Sequence, residues 1–248
     1  MNASEIRANA RKSLTGKWGK GALVVLCYLL IMWGINFVLG FLAFVGQIAS
    51  IVISVPISYG LVVSFMKLKR GEEVKYTDFL TEGFSKFGKA WGVCGNTILK
   101  MIVPVILVIV FAVLLSFSVT GAVLGGDGFS VLAVIAIIGY VASLIYAVVK
   151  GYLYSLTNYI LYDNPNMTGK EIVEESARLM KGNRWKLVWL SLTFIGWIIL
   201  SAFTLYIGLL WVIPYMSVAS VCFYEALAGK DSKEDVVVEA ENNDPISE

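Results

Sequence analysis

Four long stretches that contain no charged residue constrain this chain more than any other feature. They cover residues 21–66, 101–126, 128–149 and 187–224. An α-helix needs about 20 apolar residues to cross a bilayer, and the 46 residues of the first stretch are enough for two such helices. Charged residues make up 15% of the 248-residue chain, whereas soluble domains usually carry about 25%. The sequence therefore predicts an all-α fold, a polytopic membrane helical bundle of about six transmembrane helices in three hairpins.

The distribution of basic residues predicts how these helices are oriented. The predicted spans lie near 21–41, 46–66, 101–124, 129–150, 187–204 and 207–225, within a single membrane domain over residues 1–228. All 20 Lys and Arg residues fall in the segments on one side of these spans: 1–20, 67–100, 150–186 and the tail from 225. The three opposite turns carry a single charge, Asp127. Because Lys and Arg concentrate in cytoplasmic loops, we predict that both termini lie in the cytoplasm.

The position of Lys150 has two interpretations, because it is the only charge between Gly128 and Tyr162. In the first, it lies at the inner membrane boundary and extends its ammonium group toward the headgroups. Four tyrosines would then occupy the interfacial belt: Tyr152, Tyr154, Tyr159 and Tyr162. In the second, Lys150 lies deeper and lines a polar cavity, as intramembrane charges with a function often do.

A short basic and aromatic motif, which we call an entry motif, precedes the first span of each hairpin. The three motifs are Lys17-Trp18-Gly19-Lys20, Lys86-Phe87-Gly88-Lys89 and Arg184-Trp185-Lys186. A Lys or Arg near an anionic leaflet contributes about 1 kcal/mol to binding. We predict that anionic lipid headgroups contact the following residues: Lys17, Trp18, Lys20, Lys86, Lys89, Arg184, Trp185 and Lys186. The alternative is that these charges only orient the chain during insertion.

The sequence also predicts an amphipathic helix before each entry motif. In the second, over 77–91, the apolar residues share one face: Leu80, Phe84, Phe87 and Trp91. In the third, Thr168 and Glu171 form a capping box, and Glu174 and Arg178 are spaced for an ion pair. The first, weaker pattern comprises Ile6, Ala10, Leu14 and Trp18. Such helices bury an apolar face at the headgroup boundary, so we expect all three on the cytoplasmic side, in the membrane plane.

The residue types that usually carry enzymatic chemistry are scarce. The chain has no histidine, which removes the commonest catalytic base and metal ligand. Its three cysteines, Cys27, Cys94 and Cys222, are too widely spaced for a metal motif or a disulfide framework. Residues 83–89 match the start of a phosphate-binding loop, but Ala90 replaces the required Ser or Thr and no strand precedes it. We therefore predict no catalytic, cofactor-binding or metal residue, no cofactor, no nucleic-acid partner and no enzymatic activity.

Several segments resemble a known family. They are Met180–Lys186, Phe194–Trp197, Gly208–Tyr215 and Phe223–Glu225, with weaker matches at Gly16–Lys20 and Gly83–Gly88. Together they are similar to the bacterial membrane family catalogued as domain of unknown function 975, over most of residues 4–228. The resemblance implies a multi-pass membrane protein of a kind common in Gram-positive bacteria. It implies no activity, substrate or catalytic residue.

Two functions remain after these exclusions. The first is a non-catalytic scaffold, envelope or partner-regulating component of the bacterial cytoplasmic membrane. Its partners would be anionic lipids, together with a protein or a second copy of the chain, and residues 229–248 would form a disordered acidic tail. The alternative is a small-solute or lipid-like transporter with an uncharged polar site. A solvent-filled cavity would then reach mid-membrane past Asn36, Asn96 or Asn158.

Overall fold

A computed structural model describes residues 2–123 and 129–229 of the chain. In these residues it contains eleven α-helices and no strands, which confirms the predicted all-α class. The helices are α1 (Ala3–Leu14), α2 (Trp18–Gly40), α3 (Ala43–Lys69), α4 (Asp78–Ser85), α5 (Phe87–Val123), α6 (Phe129–Leu153), α7 (Thr157–Asp163), α8 (Gly169–Met180), α9 (Arg184–Leu192), α10 (Ile195–Phe203) and α11 (Leu209–Leu227). Asp127 and most of the predicted acidic tail lie outside the described residues.

Six segments of the described chain are long and apolar enough to cross a membrane, in agreement with the predicted number. They are Trp18–Gly40, Phe44–Lys69, Phe87–Gly121, Val131–Asp163, Arg184–Phe203 and Leu209–Leu227. The third begins at Phe87 instead of near 101, because the helix continues through the charges of Lys89 and Lys100. A long lysine side chain can remain helical while its ammonium group reaches water. Charge-free runs therefore mark the apolar part of a helix, not its ends.

The described chain forms two compact units. The first comprises Met1–Trp91, Asn158–Met167 and Trp185–Glu248, as far as these are described, and the second comprises Gly92–Thr157 and Thr168–Arg184. In the first unit, α1, α3, α4 and α11 enclose an apolar core near the charged ends of the spans. Its most deeply buried large side chains include Ile6, Leu14, Ile57, Phe65, Met66, Phe79, Phe194, Phe223 and Tyr224.

Helices α3 and α4 approach each other at backbone distance because glycines line both sides of the contact. A Cβ atom at Gly60 would overlap the carbonyl group of Phe79, and one at Gly83 would overlap that of Pro56. Phe79 is fully buried beside them. Lys67 adds an ion pair to Glu82, with 2.6 Å between Nζ and Oε1. Small residues allow this close packing, which fixes α4 against the second span.

The predicted single helix over 77–91 is wrong, because the chain breaks at Lys86 between α4 and α5. The buried residues of α4 are Phe79 and Gly83, not the predicted stripe. Phe84 and Phe87 remain exposed and stack on each other with their ring centroids 6.2 Å apart. The contact with α3 outweighs the helical periodicity on which the prediction rested.

The apolar face of α1 is covered by protein rather than presented outward. Its buried residues are Ile6, Ala10 and Leu14, and α1 packs mainly on α11. Tyr215 of α11 donates a hydrogen bond to the carbonyl of Arg7, with 3.3 Å between the oxygens. The predicted placement of α1 with its apolar face in lipid is therefore wrong, since the amphipathic pattern serves the contact with α11.

In the second unit, α8 is likewise buried along its apolar face, which carries Ile172, Val173, Ser176 and Met180. Ser176 donates a hydrogen bond to the carbonyl of Leu153 at the end of α6, over 2.8 Å. The predicted capping box is present, with 2.8 Å between the Thr168 nitrogen and Glu171 Oε2. A buried serine that bonds to a neighbouring helix end identifies this face as a protein contact, so the lipid placement of α8 is also wrong.

The predicted Glu174–Arg178 pair is replaced by a neighbouring one. Arg178 donates two hydrogen bonds to Glu175, at 2.7 and 2.6 Å, whereas Glu174 lies 4.0 Å from Lys170. Residues three and four apart on a helix are both neighbours, and the planar guanidinium favours the partner that it can bind through two nitrogens. Both pairs are exposed and stabilise α8 only slightly.

Large apolar side chains are exposed along the parts of the spans farthest from the core. In the first hairpin these include Trp33, Phe37, Phe41, Phe44 and Val45. The rings of Trp33 and Phe37 stack with centroids 5.5 Å apart, and Phe41 meets Phe37 edge-on at 5.3 Å. Exposed apolar surface on this scale suits a hydrocarbon surrounding, which is consistent with the membrane spans.

Candidate functional site

The first entry motif divides between internal packing and open surface. Lys17 donates a hydrogen bond to the carbonyl of Leu68 over 3.2 Å, close to the end of α3. Trp18 meets Tyr215 edge-on, with the ring centroids 6.0 Å apart. Lys20 is exposed. A lysine near a helix C-terminus satisfies carbonyls that have no partner within the helix, so Lys17 has a structural role and Lys20 stays accessible.

The second entry motif lies at the break between α4 and α5. Lys86 is half-buried at the C-terminal cap of α4. Lys89 is exposed and donates a hydrogen bond to the carbonyl of Pro165. The stacked rings of Phe84 and Phe87 lie on either side of Lys86 in sequence and are exposed. This motif therefore combines an exposed aromatic pair with Lys86, which is half-buried, and Lys89, which is engaged with Pro165.

The third entry motif opens α9, and its aromatic residue is unusually accessible. The side chain of Trp185 is 74% exposed, and Trp189, one turn later, is 64% exposed. Lys186 is exposed between them. Arg184 is half-buried, and its Nε is a buried donor without a hydrogen-bond partner in the described chain. Of the predicted headgroup residues, Trp185 and Lys186 therefore present the most open basic and aromatic surface.

Trp185 and Lys186 also share a cleft in the first unit. Its volume is about 380 Å³, and it is lined by Asn2, Ala3, Ile6, Trp185, Lys186 and Trp189. The first turn of α1 forms one wall and the first turns of α9 form the other. The sequence identified two residues of the α9 side, Trp185 and Lys186, as headgroup contacts, but it predicted neither a cleft nor Trp189. It did not predict the α1 side, because the two segments are nearly 180 residues apart.

A second charged feature, which we call the Arg70 cluster, was missed by the sequence analysis. It comprises Lys69, Arg70, Tyr162, Asp163, Tyr224 and Glu225. Arg70 Nη1 lies 2.9 Å from Asp163 Oδ1, and Nη2 lies 3.1 Å from Oδ2. Arg70 Nε donates to Glu225 Oε1 over 2.9 Å. One guanidinium thus binds the end of α7 and the end of α11 immediately after α3 ends.

The remaining residues complete the cluster. Lys69 Nζ lies 2.7 Å from Glu225 Oε2, an oxygen that accepts no well-aligned hydrogen bond and is held by this ion pair. The Tyr224 hydroxyl donates to Asp163 Oδ2 over 2.8 Å. The guanidinium carbon of Arg70 lies 5.6 Å from the centre of the Tyr162 ring. Each carboxylate is therefore compensated by at least two neighbouring groups.

Burial makes these contacts strong. The side chains of Asp163 and Glu225 are 5% and 4% exposed, and that of Arg70 is 24% exposed. Both carboxylates lie near helix C-termini, where the helix dipole disfavours a negative charge. Burial alone would lower the pKa of Arg70, but its hydrogen bonds and charge attraction with Asp163 and Glu225 outweigh burial and raise it. The Arg70 guanidinium therefore remains positively charged and brings the ends of α3, α7 and α11 together.

The sequence contains a signal for this cluster, but it does not show which of its residues pair with each other. Asp163 follows the stretch 128–162, in which Lys150 is the only charge. Glu225 follows the charge-free stretch 187–224. Asp163 lies in a segment, 150–186, that also carries six Lys and Arg residues, whereas Glu225 begins the acidic C-terminal segment. Because spans two, four and six end on the same side of a membrane, Arg70, Asp163 and Glu225 share one end of the bundle. Their pairing depends on helix packing, which spacing alone does not determine.

The described residues give little support to metal or nucleotide chemistry. Within 2–123 and 129–229, there is no group of three His, Cys, Asp or Glu residues that could hold a metal ion. Cys27 and Cys94 are free thiols, and Cys222 is buried. Gly83, which begins the loop-like segment 83–89, packs inside α4 against Pro56. A helix interior cannot wrap its N–H groups around a phosphate as a loop does.

Comparison with known proteins identifies the family. A family model described as "Protein of unknown function (DUF975)" matches residues 1–231. The match confirms the resemblance carried by segments such as Met180–Lys186 and Gly208–Tyr215. No curated protein and no solved structure matches the chain.

Proposed function

We propose that this chain, which belongs to the DUF975 family, is a non-catalytic scaffold or partner-regulating component of a bacterial cytoplasmic membrane. Both termini would lie in the cytoplasm, and the basic end of the spans would hold anionic lipid headgroups. The observation that carries this proposal is the Arg70 cluster, in which Asp163 and Glu225 pair with a guanidinium. Its charges join the ends of α3, α7 and α11 within the first unit, so they serve assembly rather than passage of a solute.

The polar groups within the spans support a scaffold over a transporter. The amide of Asn36 donates to the carbonyl of Met32 over 2.8 Å, and that of Asn96 donates to Gly92 over 2.8 Å. Each amide thus donates one of its N–H groups to its own helix. A transporter for polar solutes needs such groups to face its pathway, so this observation favours the scaffold and leaves transport as the alternative.

Accessible lysines support lipid contact. Lys20 and Lys186 are exposed and Lys86 is half-buried, one from each entry motif. Each is adjacent to aromatic side chains that tend to lie at the membrane interface. Exposed apolar surface along the spans, as at Trp33 and Phe37, also leaves room for a protein partner or a second copy of the chain.

The test is to remove accessible charge without changing topology. We would compare wild type with the triple variant K20Q/K86Q/K186Q and a matched control, K75Q/K170Q/K181Q. The control lysines are exposed and lie outside the entry motifs. After confirming membrane orientation, we would measure the phosphatidylglycerol and cardiolipin that purify with each protein.

We expect the entry-motif variant to lose most of its salt-sensitive anionic lipid and the control to retain it. At about 1 kcal/mol per charge, three changes are enough for a clear difference, whereas one would give a small effect. Equal lipid content in all three proteins would leave the entry motifs as orientation signals. Uptake of a solute by vesicles containing the purified chain would instead favour transport.

A further inference from the structure

The cleft between α1 and α9 has the composition of a lipid site. Its floor includes Ile6, which is 2% exposed, and its α9 wall carries the exposed indoles of Trp185 and Trp189. Lys186 and Asn2 add a cation and an amide to the same cleft. A volume of about 380 Å³ falls within the range of sites that hold small ligands. An apolar floor, aromatic walls and a single ammonium group favour an amphiphilic anion.

The position of the cleft indicates where that anion comes from. Trp185 and Trp189 lie in the first turns of the fifth span, which begins at Arg184. Tryptophan is enriched at the level where lipid headgroups meet acyl chains. A lipid phosphate beside Lys186 would place its glycerol and upper acyl carbons against the two indoles. A free phosphate would leave both indoles without a partner.

The acidic residue nearest to the cleft in sequence does not oppose this charge match directly. Glu5 accepts a hydrogen bond from the backbone nitrogen of Asn2 over 2.8 Å, so its carboxylate is engaged at the start of α1. It does not line the cleft, whose lining includes Asn2, Ala3 and Ile6 from this helix. The charge among the lining residues is therefore positive and comes from Lys186.

We propose that this cleft binds one anionic phospholipid molecule. Its phosphate contacts the Lys186 ammonium and the Asn2 amide, and its upper acyl region lies along Trp185 and Trp189. This inference rests on the proposed function and deepens it, because it assigns a discrete site within a general lipid shell. It also gives α1 a second role, since the helix that packs on α11 supplies one wall of the site.

The test is a lipid count on the full-length protein. The purified chain, equilibrated in nanodiscs of mixed phosphatidylglycerol and phosphatidylcholine, would be released and its retained lipids counted by native mass spectrometry. The cleft variants are K186Q and W185A/W189A, with K186R as the conservative substitution. The matched controls are K181Q, which removes a nearby exposed charge, and W33A, which removes an exposed indole far along α2. Thermal unfolding would establish that every variant is folded.

We expect wild type, K186R and both controls to retain one phosphatidylglycerol per chain. K186Q should bind it about fivefold more weakly, which corresponds to one lysine at an anionic surface, and W185A/W189A should lose it. Retention of the lipid by folded K186Q and W185A/W189A would overturn the proposal. Binding of inorganic phosphate in the cleft when phosphatidylcholine is the only lipid would also overturn it. If the cleft variants retain this lipid while K20Q/K86Q loses anionic lipid overall, the discrete site is wrong and the proposed function stands.

Discussion

Arg70 and Asp163 form a two-point ion pair across 93 residues of sequence, with nitrogen–oxygen distances of 2.9 and 3.1 Å. The pair joins the end of α3 to the end of α7, and Glu225 extends it to α11. Since the two carboxylates are almost fully buried, the guanidinium is the main group that compensates them. This relationship gives the most specific prediction about stability.

Arg70→Met should destabilise the protein by about 3–5 kcal/mol, because it leaves two buried carboxylates without their shared partner. Denaturant unfolding in bicelles measures this change. The matched control is Arg178→Met, whose ion pair is exposed, so its loss should have little effect on stability. Adding Asp163→Asn and Glu225→Gln to Arg70→Met should recover part of the loss. Equal stability of the Arg70 and Arg178 variants would refute the cluster's role.

Tyr224→Phe removes one hydroxyl from the same cluster and keeps the aromatic ring. The ring would still stack on Tyr159, whose centroid is 5.4 Å away, so the lost hydrogen bond to Asp163 should account for most of the change. A hydrogen bond to a charged group contributes about 1.5–3 kcal/mol. Tyr215→Phe, which removes a bond to a neutral carbonyl, should cost less. If Tyr215→Phe were more destabilising than Tyr224→Phe in the same unfolding measurement, the hydrogen bond from Tyr224 to Asp163 would not have the predicted stabilising role.

Gly60→Ala tests the close packing of α3 and α4. The added methyl group would overlap the backbone of Phe79, so α4 must move and the loss should exceed about 2 kcal/mol. Gly34→Ala is the control, since it lies within α2 with nothing near its missing Cβ, and should be neutral or stabilising. Protease resistance of the segment around α4 measures the displacement. A Gly60 variant as resistant as wild type would show that α4 is not fixed by this contact.

The orientation deduced from charge is tested by cysteine labelling in a variant without Cys27, Cys94 and Cys222. A cysteine replacing Asp127 should react with an impermeant thiol reagent applied from outside the cell. Cysteines replacing Lys75 and Glu175 should react only after the membrane is opened. The physical reason is that Lys and Arg segregate to the cytoplasmic side. Labelling of intact cells at position 75 or 175 would reverse the proposed topology.

Much of the architecture could be predicted because a bilayer imposes a simple requirement on composition. The charge-free stretches gave the number of spans, and Thr168 with Glu171 gave the start of α8. Boundaries were less certain, since Lys89 and Lys100 lie inside α5. Amphipathic patterns were recognised, but a pattern alone does not say whether lipid or protein covers the apolar face. For α1 and α8 the answer is protein.

The candidate site was predictable only in part, because a sequence pattern does not identify the residues that pack against it. Trp185 and Lys186 could be selected because a basic and aromatic pair before a span is a local signal. Their partner Ile6 could not be identified, because the cleft joins the beginning of the chain to the fifth span. The pairing of Arg70 with Glu225 across 155 residues is likewise a product of packing. Long-range pairs of this kind require the three-dimensional arrangement.

Thermal unfolding in nanodiscs tests whether anionic lipid stabilises the basic end of the spans. The midpoint would be measured as phosphatidylglycerol replaces phosphatidylcholine, at about 0.1 M and about 1 M salt, where the Debye length falls from about 10 Å to about 3 Å. We expect the midpoint to rise with the phosphatidylglycerol fraction at low salt. The rise should be much smaller at high salt and in K20Q/K86Q/K186Q. A midpoint that is independent of the anionic lipid fraction at low salt would show that anionic lipid does not stabilise these spans.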